Sequence, residues 1–234
     1  GKGRQMPIHY GSNELNYMTI SSPLGTQIPQ ATGYAYGQKL NHIDAATGEL
    51  ASEIDNVTIC YFGEGAASEG DFHAGLNMAA VHKAPVVFFA RNNGYAISTP
   101  ADEQFKGDGI AARGVGYGIK TIRVDGTDTL AVYAATQAAR KIAAEQGEPV
   151  LVESIAYRLG AHSTSDDPSG YRSKDEEAEF RAACPIERFK TWLLKQGWLN
   201  EAEDEAAKDK IREEILAALK VAEKIQKPAL EELV

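Results

Sequence analysis

The sequence has little cysteine: Cys60 and Cys184 are the only two in 234 residues. They form no CxxC or Cys/His spacing of the kind that holds zinc. Two buried, reduced thiols are expected, Cys60 in a strand and Cys184 in a loop before a helix. Long hydrophobic runs are missing too. The longest strongly apolar run is residues 84–90, against the roughly 20 residues a membrane helix requires. An excess of positive charge is also lacking, because 24 Lys+Arg stand against 33 Asp+Glu for a net charge of −9. That balance excludes a nucleic-acid surface and an anionic-membrane surface. The expected location is the cytoplasm, or the mitochondrial matrix in a eukaryote. Gly1-Lys2-Gly3-Arg4-Gln5 offers neither an initiator Met nor the start of a strand or helix, and reads as the interior of a longer protein. The chain is expected to be a fragment, and no internal repeat is visible.

What is present suits a globular core. At 43% hydrophobic composition, one α/β domain over 1–180 with a helical C-terminal extension over 181–234 is expected. Residues 26–40 carry Ala31, Gly33, Ala35 and Gly37, small patches that on a helix let another backbone approach, with a subunit contact compatible with the same face. Residues 41–56 turn polar around Thr47-Gly48 and read as a surface excursion. A β-rich run at 57–62, a Gly-rich turn, a helical stretch at 68–83 and an apolar run at 86–90 make a strand, crossover helix and parallel strand. Strands follow at 120–124 and 150–157, around a helix capped by Asp128 that runs to about 146. The alternation predicts a mostly parallel sheet with helices on both faces. Residues 158–175 are polar and read as an ordered or switchable loop. After Pro185 the chain is helical, with a stretch from 201 to about 227 whose charges form a solvated face.

Chemistry gathers at the turns leaving the first two strands, whose carboxyl ends share one sheet edge when the strands run parallel. Gly63-Glu64-Gly65 follows the first and Asn92-Asn93-Gly94-Tyr95 the second. Together they offer a carboxylate, carboxamide oxygens and glycines that let backbone approach a ligand. Hard oxygen donors beside an anion site suit magnesium, which takes few ligands from protein and the rest from phosphate and water. Arg91 has the guanidinium fork for phosphate, with a surface salt bridge as its ordinary alternative.

The segments Phe62-Gly63-Glu64-Gly65-Ala66-Ala67-Ser68-Glu69-Gly70-Asp71 and Arg91-Asn92-Asn93-Gly94-Tyr95-Ala96-Ile97-Ser98 resemble the cofactor motif of the thiamine diphosphate-dependent 2-oxo acid dehydrogenase alpha subunits. The resemblance extends over nearly the whole chain. Its further blocks are Ser21-Ser22-Pro23-Leu24-Gly25-Thr26-Gln27, Gly107-Asp108-Gly109-Ile110-Ala111-Ala112-Arg113-Gly114 and His162-Ser163-Thr164-Ser165-Asp166-Asp167. At residues 63–70 and 162–167 the wording is that of the branched-chain (2-oxoisovalerate) enzymes, not of the pyruvate enzymes.

The resemblance implies a thiamine diphosphate-binding α/β fold and a set of roles. Glu64, Asn93 and the Tyr95 carbonyl would bind magnesium, while Gly65, Ala66 and Arg91 hold the diphosphate. Ser22 and Leu24 would approach the aminopyrimidine, and Ser21, Pro23, Thr26 and Gln27 match a potassium site. His162 matches the active-site histidine, suited to proton exchange near neutral pH. Arg158 is open as a second phosphate contact or a loop anchor. Ser163 and Ser173 match positions phosphorylated in some members, where a phosphate adds about −1.5 to −2 charge; serines bonded within a turn fit the same residues. The implied reaction decarboxylates a branched-chain 2-oxo acid and passes the acyl group to lipoamide. The implied partners are a beta subunit, two alpha with two beta, and a lipoyl-bearing dihydrolipoyl acyltransferase. The beta subunit brings the glutamate that activates the cofactor, and a preceding segment of the alpha subunit brings a Tyr-Arg pair onto the diphosphate, so this chain alone is expected to be inactive. A pyruvate or acetoin enzyme, or a folded scaffold whose site residues are idle, are the competing readings.

Overall fold

The computed structural model describes residues 8–54, 56–227 and 229–233; the opening segment 1–5 lies outside them. The described chain divides into two compact units, one of residues 23–186 and one of residues 1–22 with 187–234.

The larger unit is built on a four-stranded sheet. Its strands are β1 (Thr58–Gly63), β2 (Val86–Asn92), β5 (Lys120–Asp125) and β6 (Val150–Ile155), in the order β1-β2-β6-β5. Every pairing is parallel, with Gly63 beside Arg91 and Asn92 beside Ile155, so the strand ends lie along one edge. The period-2 pattern of β2 places Val86, Phe88 and Ala90 on one face and Val87 and Phe89 on the other, all buried. The first face packs against Ile28 of α1 (Gln27–Leu40), Phe72 and Leu76 of α3 (Gly70–His82), and Ile110. The second packs against Ala139 and Ala143 of α6 (Thr129–Gln146). Both faces are covered, which is why the central strands read as nearly unbroken apolar runs.

Helix termini follow their local chemistry. The Asp128 carboxylate accepts the N–H groups of Leu130 and Ala131 at the start of α6, and Gly147 closes that helix in the left-handed conformation at φ 62°. Helix α3 ends the same way at Lys83, φ 49°. The carbonyls of these two caps meet at Lys39, buried on α1, whose Nζ donates to Lys83 O at 2.8 Å and Gly147 O at 3.1 Å. One ammonium thus satisfies two C-terminal carbonyls and concentrates positive charge at two negative helix ends. Replacing Lys39 by methionine keeps the stem and removes the ammonium. The expected loss is about 1–3 kcal/mol, the cost of leaving the buried Gly147 carbonyl and the part-buried Lys83 carbonyl unpaired, read as a lower denaturant midpoint at unchanged slope.

Several expectations are corrected. The small patch on α1 makes the helix contact only in part: Ala35 is buried with α3 residues and Ala31 packs against them, but a Cβ at Gly33 or Gly37 would meet nothing within 4 Å. The close approach comes from Gly75 of α3, where a Cβ would stand 2.8 Å from Ile28 Cγ2, and the Thr32 hydroxyl donates to Gly75 O at 3.0 Å. The turn after β1 is one turn of helix, α2 (Glu64–Ala67). The 41–56 excursion is not wholly surface, since Ile54 is buried and its N–H donates to Ala144 O. After β2 come the short pair β3 (Tyr95–Ala96) and β4 (Thr99–Pro100), then α4 (Ala101–Gln104) and α5 (Ala111–Gly116). A helix the sequence reading did not place, α7 (Lys174–Ala182), begins where the loop was expected to end. Cys60 is buried, its thiol pushed up to about 12 by burial, and Cys184 is partly exposed.

In the other unit, α8 (Pro185–Gln196) is followed by α9 (Glu201–Ala222), capped at Asn200 by a reciprocal box with Glu203. Lys190 pairs with Glu201 at 2.9 Å and Asp204 at 2.8 Å, and Trp192 meets Trp198 edge-on at 5.2 Å. Helix α9 ends short of 227, in a turn before Lys227-Pro228, where the residue preceding proline is driven out of the helical region. Among the described residues no helix is long and apolar enough to cross a membrane.

Candidate functional site

Two turns face each other at the carboxyl edge of β1 and β2. Glu64 opens α2 with only 1% of its surface exposed. Its Oε2 accepts the Asn93 N–H at 2.8 Å, a bond that spans the two turns. Burial pushes the Glu64 carboxyl up, against the opposing pull of the Asn93 N–H and the guanidiniums of Arg158 and Arg91. A buried carboxylate with little compensation favours any cation brought to it.

The second turn is shaped by side-chain oxygens that bond to the backbone two residues on. Asn92 Oδ1 accepts the Gly94 N–H at 3.1 Å and Asn93 Oδ1 accepts the Tyr95 N–H at 3.1 Å. Gly94 is left-handed at φ 84°, and so is Ile97 at φ 57°, an uncommon conformation for a β-branched residue. The carbonyl of Ile97 is held by Arg158 Nη2 at 2.7 Å. Of the two roles open for Arg158, this places it as a loop anchor. Gly65 sits where the turns nearly touch, since a Cβ there would lie 3.1 Å from Ala96 Cβ. Ala66 is buried, whereas the Arg91 side chain, at the end of β2, is exposed. A carboxylate, a carboxamide and backbone carbonyls on facing turns form an oxygen-only donor set. Among the described residues no group of three or more His, Cys, Asp or Glu could hold a metal. The arrangement fits a hard ion that takes few protein ligands, such as magnesium, and does not fit zinc.

The loop after β6 reaches the same edge. His162 is exposed, with its backbone N–H donating to Asp166 Oδ2 at 2.8 Å. Tyr171 donates its hydroxyl to the same oxygen at 2.6 Å and accepts from Arg158 at 2.8 Å. The Tyr171 hydroxyl and the His162 N–H hold Asp166 below the usual carboxylate range. One chain of bonds therefore runs from the Ile97 carbonyl through Arg158, Tyr171 and Asp166 to His162. Arg172 is buried below it, donating to the carbonyls of Arg158 and Gly160 and pairing with Glu177 at 3.1 Å. Ser163 bonds to Ser165 at 3.2 Å, and Ser173 caps α7 by accepting the Glu176 N–H at 3.1 Å. Tyr95 donates its hydroxyl to Glu176 at 3.0 Å, so the second turn is also tied to the first turn of α7.

The remaining candidates divide between the two units. Pro23, Leu24, Thr26 and Gln27 lie in the larger one. The Thr26 hydroxyl donates to Pro23 O at 2.9 Å, Gln27 donates to Tyr61 O at 3.2 Å, and Leu24 is exposed. Ser21 and Ser22 lie in the other unit, where Ser22 Oγ is 2.5 Å from His9 Nε2.

Sequence reasoning missed Glu153. It lies on β6, fully buried, and accepts four hydrogen bonds, one of them from Asn92 Nδ2 at 2.9 Å. The signal was a carboxylate inside an apolar parallel strand, Val150-Leu151-Val152-Glu153, where both faces are buried.

The sequence matches the profile of the family described as "Dehydrogenase E1 component" over residues 1–231. A protein named 2-oxoisovalerate dehydrogenase subunit alpha, mitochondrial, from Mus musculus is 53% identical over 229 residues, 97% of this chain and 49% of that protein. One of the same name from Dictyostelium discoideum is 52% identical over 235 residues, 100% of this chain and 51% of that protein. The 2-oxoisovalerate dehydrogenase subunit alpha 2, mitochondrial, of Arabidopsis thaliana is 49% identical over 234 residues, 100% of this chain and 47% of that protein. The chain spans about half the length of these curated relatives. Among solved structures, a Campylobacter jejuni transketolase aligns with 22% identity at a TM-score of 0.48, over 58% of this chain and 20% of that one. A Leishmania mexicana transketolase aligns with 21% identity at 0.47, over 57% and 20%.

Proposed function

The chain belongs to the dehydrogenase E1 component family, and from that premise we propose that it is the cofactor-holding part of the alpha subunit of a branched-chain 2-oxo acid dehydrogenase. The observation that carries this reading is the pair of facing turns, joined by the bond from the Asn93 N–H to Glu64, in a chain 53% identical to a 2-oxoisovalerate dehydrogenase alpha subunit. Thiamine diphosphate and magnesium are the proposed cofactors, with potassium at Ser21, Pro23, Thr26 and Gln27. A beta subunit, in an assembly of two alpha with two beta, and a lipoyl-bearing acyltransferase are the proposed partners.

Bound thiamine diphosphate supplies the carbon nucleophile and the electron sink for decarboxylation. This chain supplies position and charge. Glu64, Asn93 and the Tyr95 carbonyl would hold magnesium through oxygen, the donor type that ion prefers. Gly65 lets the two turns close on each other, since a Cβ there would stand 3.1 Å from Ala96 Cβ, and by resemblance it would hold the diphosphate with Ala66 and the exposed guanidinium of Arg91. His162 stands on a loop braced by Asp166, where its imidazole can hold or give up a proton at the reacting carbonyl oxygen. By resemblance, the backbones of Ser22 and Leu24 would each contact the aminopyrimidine of the cofactor.

Calorimetric titration of thiamine diphosphate, in magnesium and then in EDTA, before and after adding beta subunit, tests the reading. Binding that requires magnesium and tightens with beta is expected. Binding absent even from the full-length assembly leaves the scaffold reading standing. In the full-length assembly with beta, turnover of 3-methyl-2-oxobutanoate is expected to exceed that of pyruvate, and the reverse preference removes the branched-chain assignment.

A further inference from the structure

The segment Gly107-Asp108-Gly109-Ile110-Ala111-Ala112-Arg113-Gly114 has no part in the function just proposed, yet it is bonded to both turns of the site. Its first tie runs through Glu153. Oε1 of that carboxylate accepts from Asn92 Nδ2 at 2.9 Å and the Ile110 N–H at 2.9 Å. Oε2 accepts from the Ala111 N–H at 2.8 Å and Arg123 Nε at 3.0 Å. Each oxygen takes two donors, so the carboxylate is saturated while none of its surface is exposed. Gly109 makes the approach possible. It is left-handed at φ 69°, and a Cβ there would stand 2.7 Å from Glu153 Oε1 and 2.7 Å from Arg123 Nη2. Gly114 lets α5 lie on the sheet, since a Cβ there would come within 2.6 Å of Thr121 Cγ2 and 2.8 Å of Leu151 Cδ2.

The second tie runs through Arg113. Its Nη1 donates to Ala67 O at 2.5 Å, at the end of the helical turn that Glu64 begins, and its guanidinium lies 4.4 Å from the Phe105 ring centroid. The same short helix therefore grips the turn that carries Glu64 and, through Glu153 and Asn92, the turn that carries Asn93 and Tyr95. Asn92 has no freedom left: its amide nitrogen serves Glu153, its side-chain oxygen serves Gly94, and its carbonyl accepts the Ala156 N–H.

We propose that Glu153 is a positioning residue for the metal: by fixing the Asn92 side chain against the 107–114 segment, it sets the oxygens of Asn93 and Tyr95 opposite Glu64. The inference rests on the metal reading of that site. Burial opposes ionisation of Glu153, but Asn92, the two backbone amides and Arg123 outweigh it and hold the carboxyl below its usual range. It therefore stands as an anion receiving four donors. A glutamine there turns an N–H₂ group toward donors and breaks at least one pair of these bonds.

The test is an electron paramagnetic resonance titration of Mn²⁺ into the full-length alpha subunit assembled with beta, in excess thiamine diphosphate. Four variants are compared with the parent. Glu153→Gln is expected to weaken Mn²⁺ binding about 10–100-fold, the range seen when groups behind metal ligands are removed. Asn92→Ser keeps an oxygen for the Gly94 N–H and loses the donor to Glu153, and a smaller loss in the same direction is expected. Val152→Ala opens a cavity on the opposite face of the same strand, against α6, lowers stability and is expected to leave Mn²⁺ affinity within about twofold. Glu64→Ala tests the site itself. If Glu64→Ala retains Mn²⁺, the metal reading fails. If Glu64→Ala loses it while Glu153→Gln and Asn92→Ser bind like the parent, the positioning role alone is overturned. It is overturned as well if Val152→Ala loses as much affinity, because general loosening of β6 then accounts for the effect. Should Glu153→Gln not assemble, Asn92→Ser decides, and parental affinity there rejects the proposal.

Discussion

Replacing Glu64 by alanine in the full-length assembly is expected to abolish magnesium-dependent binding of thiamine diphosphate. Glu64 is the one carboxylate on the two facing turns, and the remaining oxygens there, from Asn93 and the Tyr95 carbonyl, are neutral. Removing the only negative charge from a site of three protein oxygens leaves little to draw a divalent cation out of water, and without the cation the diphosphate would lose its partner. The substitution also leaves the part-buried Asn93 N–H without its acceptor, a cost of about 1 kcal/mol. Glu64→Gln separates the two effects, because its amide oxygen can still accept the Asn93 N–H. Both variants are expected to lose magnesium-dependent binding by more than about 100-fold, and only alanine is expected to soften the turn. Unchanged binding in either variant, measured by calorimetry with magnesium against EDTA, refutes the ligand role.

The parallel sheet and its crossovers were legible because burial on both faces leaves almost no polar residue in β2, Val86-Val87-Phe88-Phe89-Ala90, and because Asp128 and Gly147 mark both ends of α6. The placement of Glu64, Asn93 and Tyr95 on turns at one edge followed from that topology alone. What could not be read depends on contacts distant in sequence. Ala31, Gly33, Ala35 and Gly37 were all open as the helix contact, and the spacing of small residues does not say which of them another helix reaches. The observed contact uses Gly75. Helix α7 is so polar, Lys174-Asp175-Glu176-Glu177, that no apolar stripe announces it, although Ser173 followed three residues later by Glu176 is a start signal. Glu153 was hidden because its four donors come from three separate places, Asn92, the Ile110-Ala111 backbone and Arg123, that only the folded chain assembles.

His162→Ala is expected to separate binding from turnover. The loop holds His162 by its backbone, through the N–H bond to Asp166, and not by its imidazole, so truncating the side chain leaves the Arg158–Tyr171–Asp166 connections in place. Stability and magnesium-dependent cofactor binding are therefore expected to stay near parental values. Turnover of 3-methyl-2-oxobutanoate by the full-length assembly is expected to fall about 10²–10⁴-fold, the contribution of a positioned proton donor or acceptor. Asp166→Ala makes the contrasting case. It removes the acceptor shared by the His162 N–H and the Tyr171 hydroxyl and releases the loop with the imidazole intact. A smaller fall in kcat with a raised KM is expected there, because the loop must be ordered again at each turnover. The pair is distinguished by steady-state kinetics with an artificial electron acceptor, which removes the acyltransferase from the measurement. A His162→Ala enzyme with parental kcat would mean that the proton is handled from outside this chain and that His162 is a surface residue of the loop.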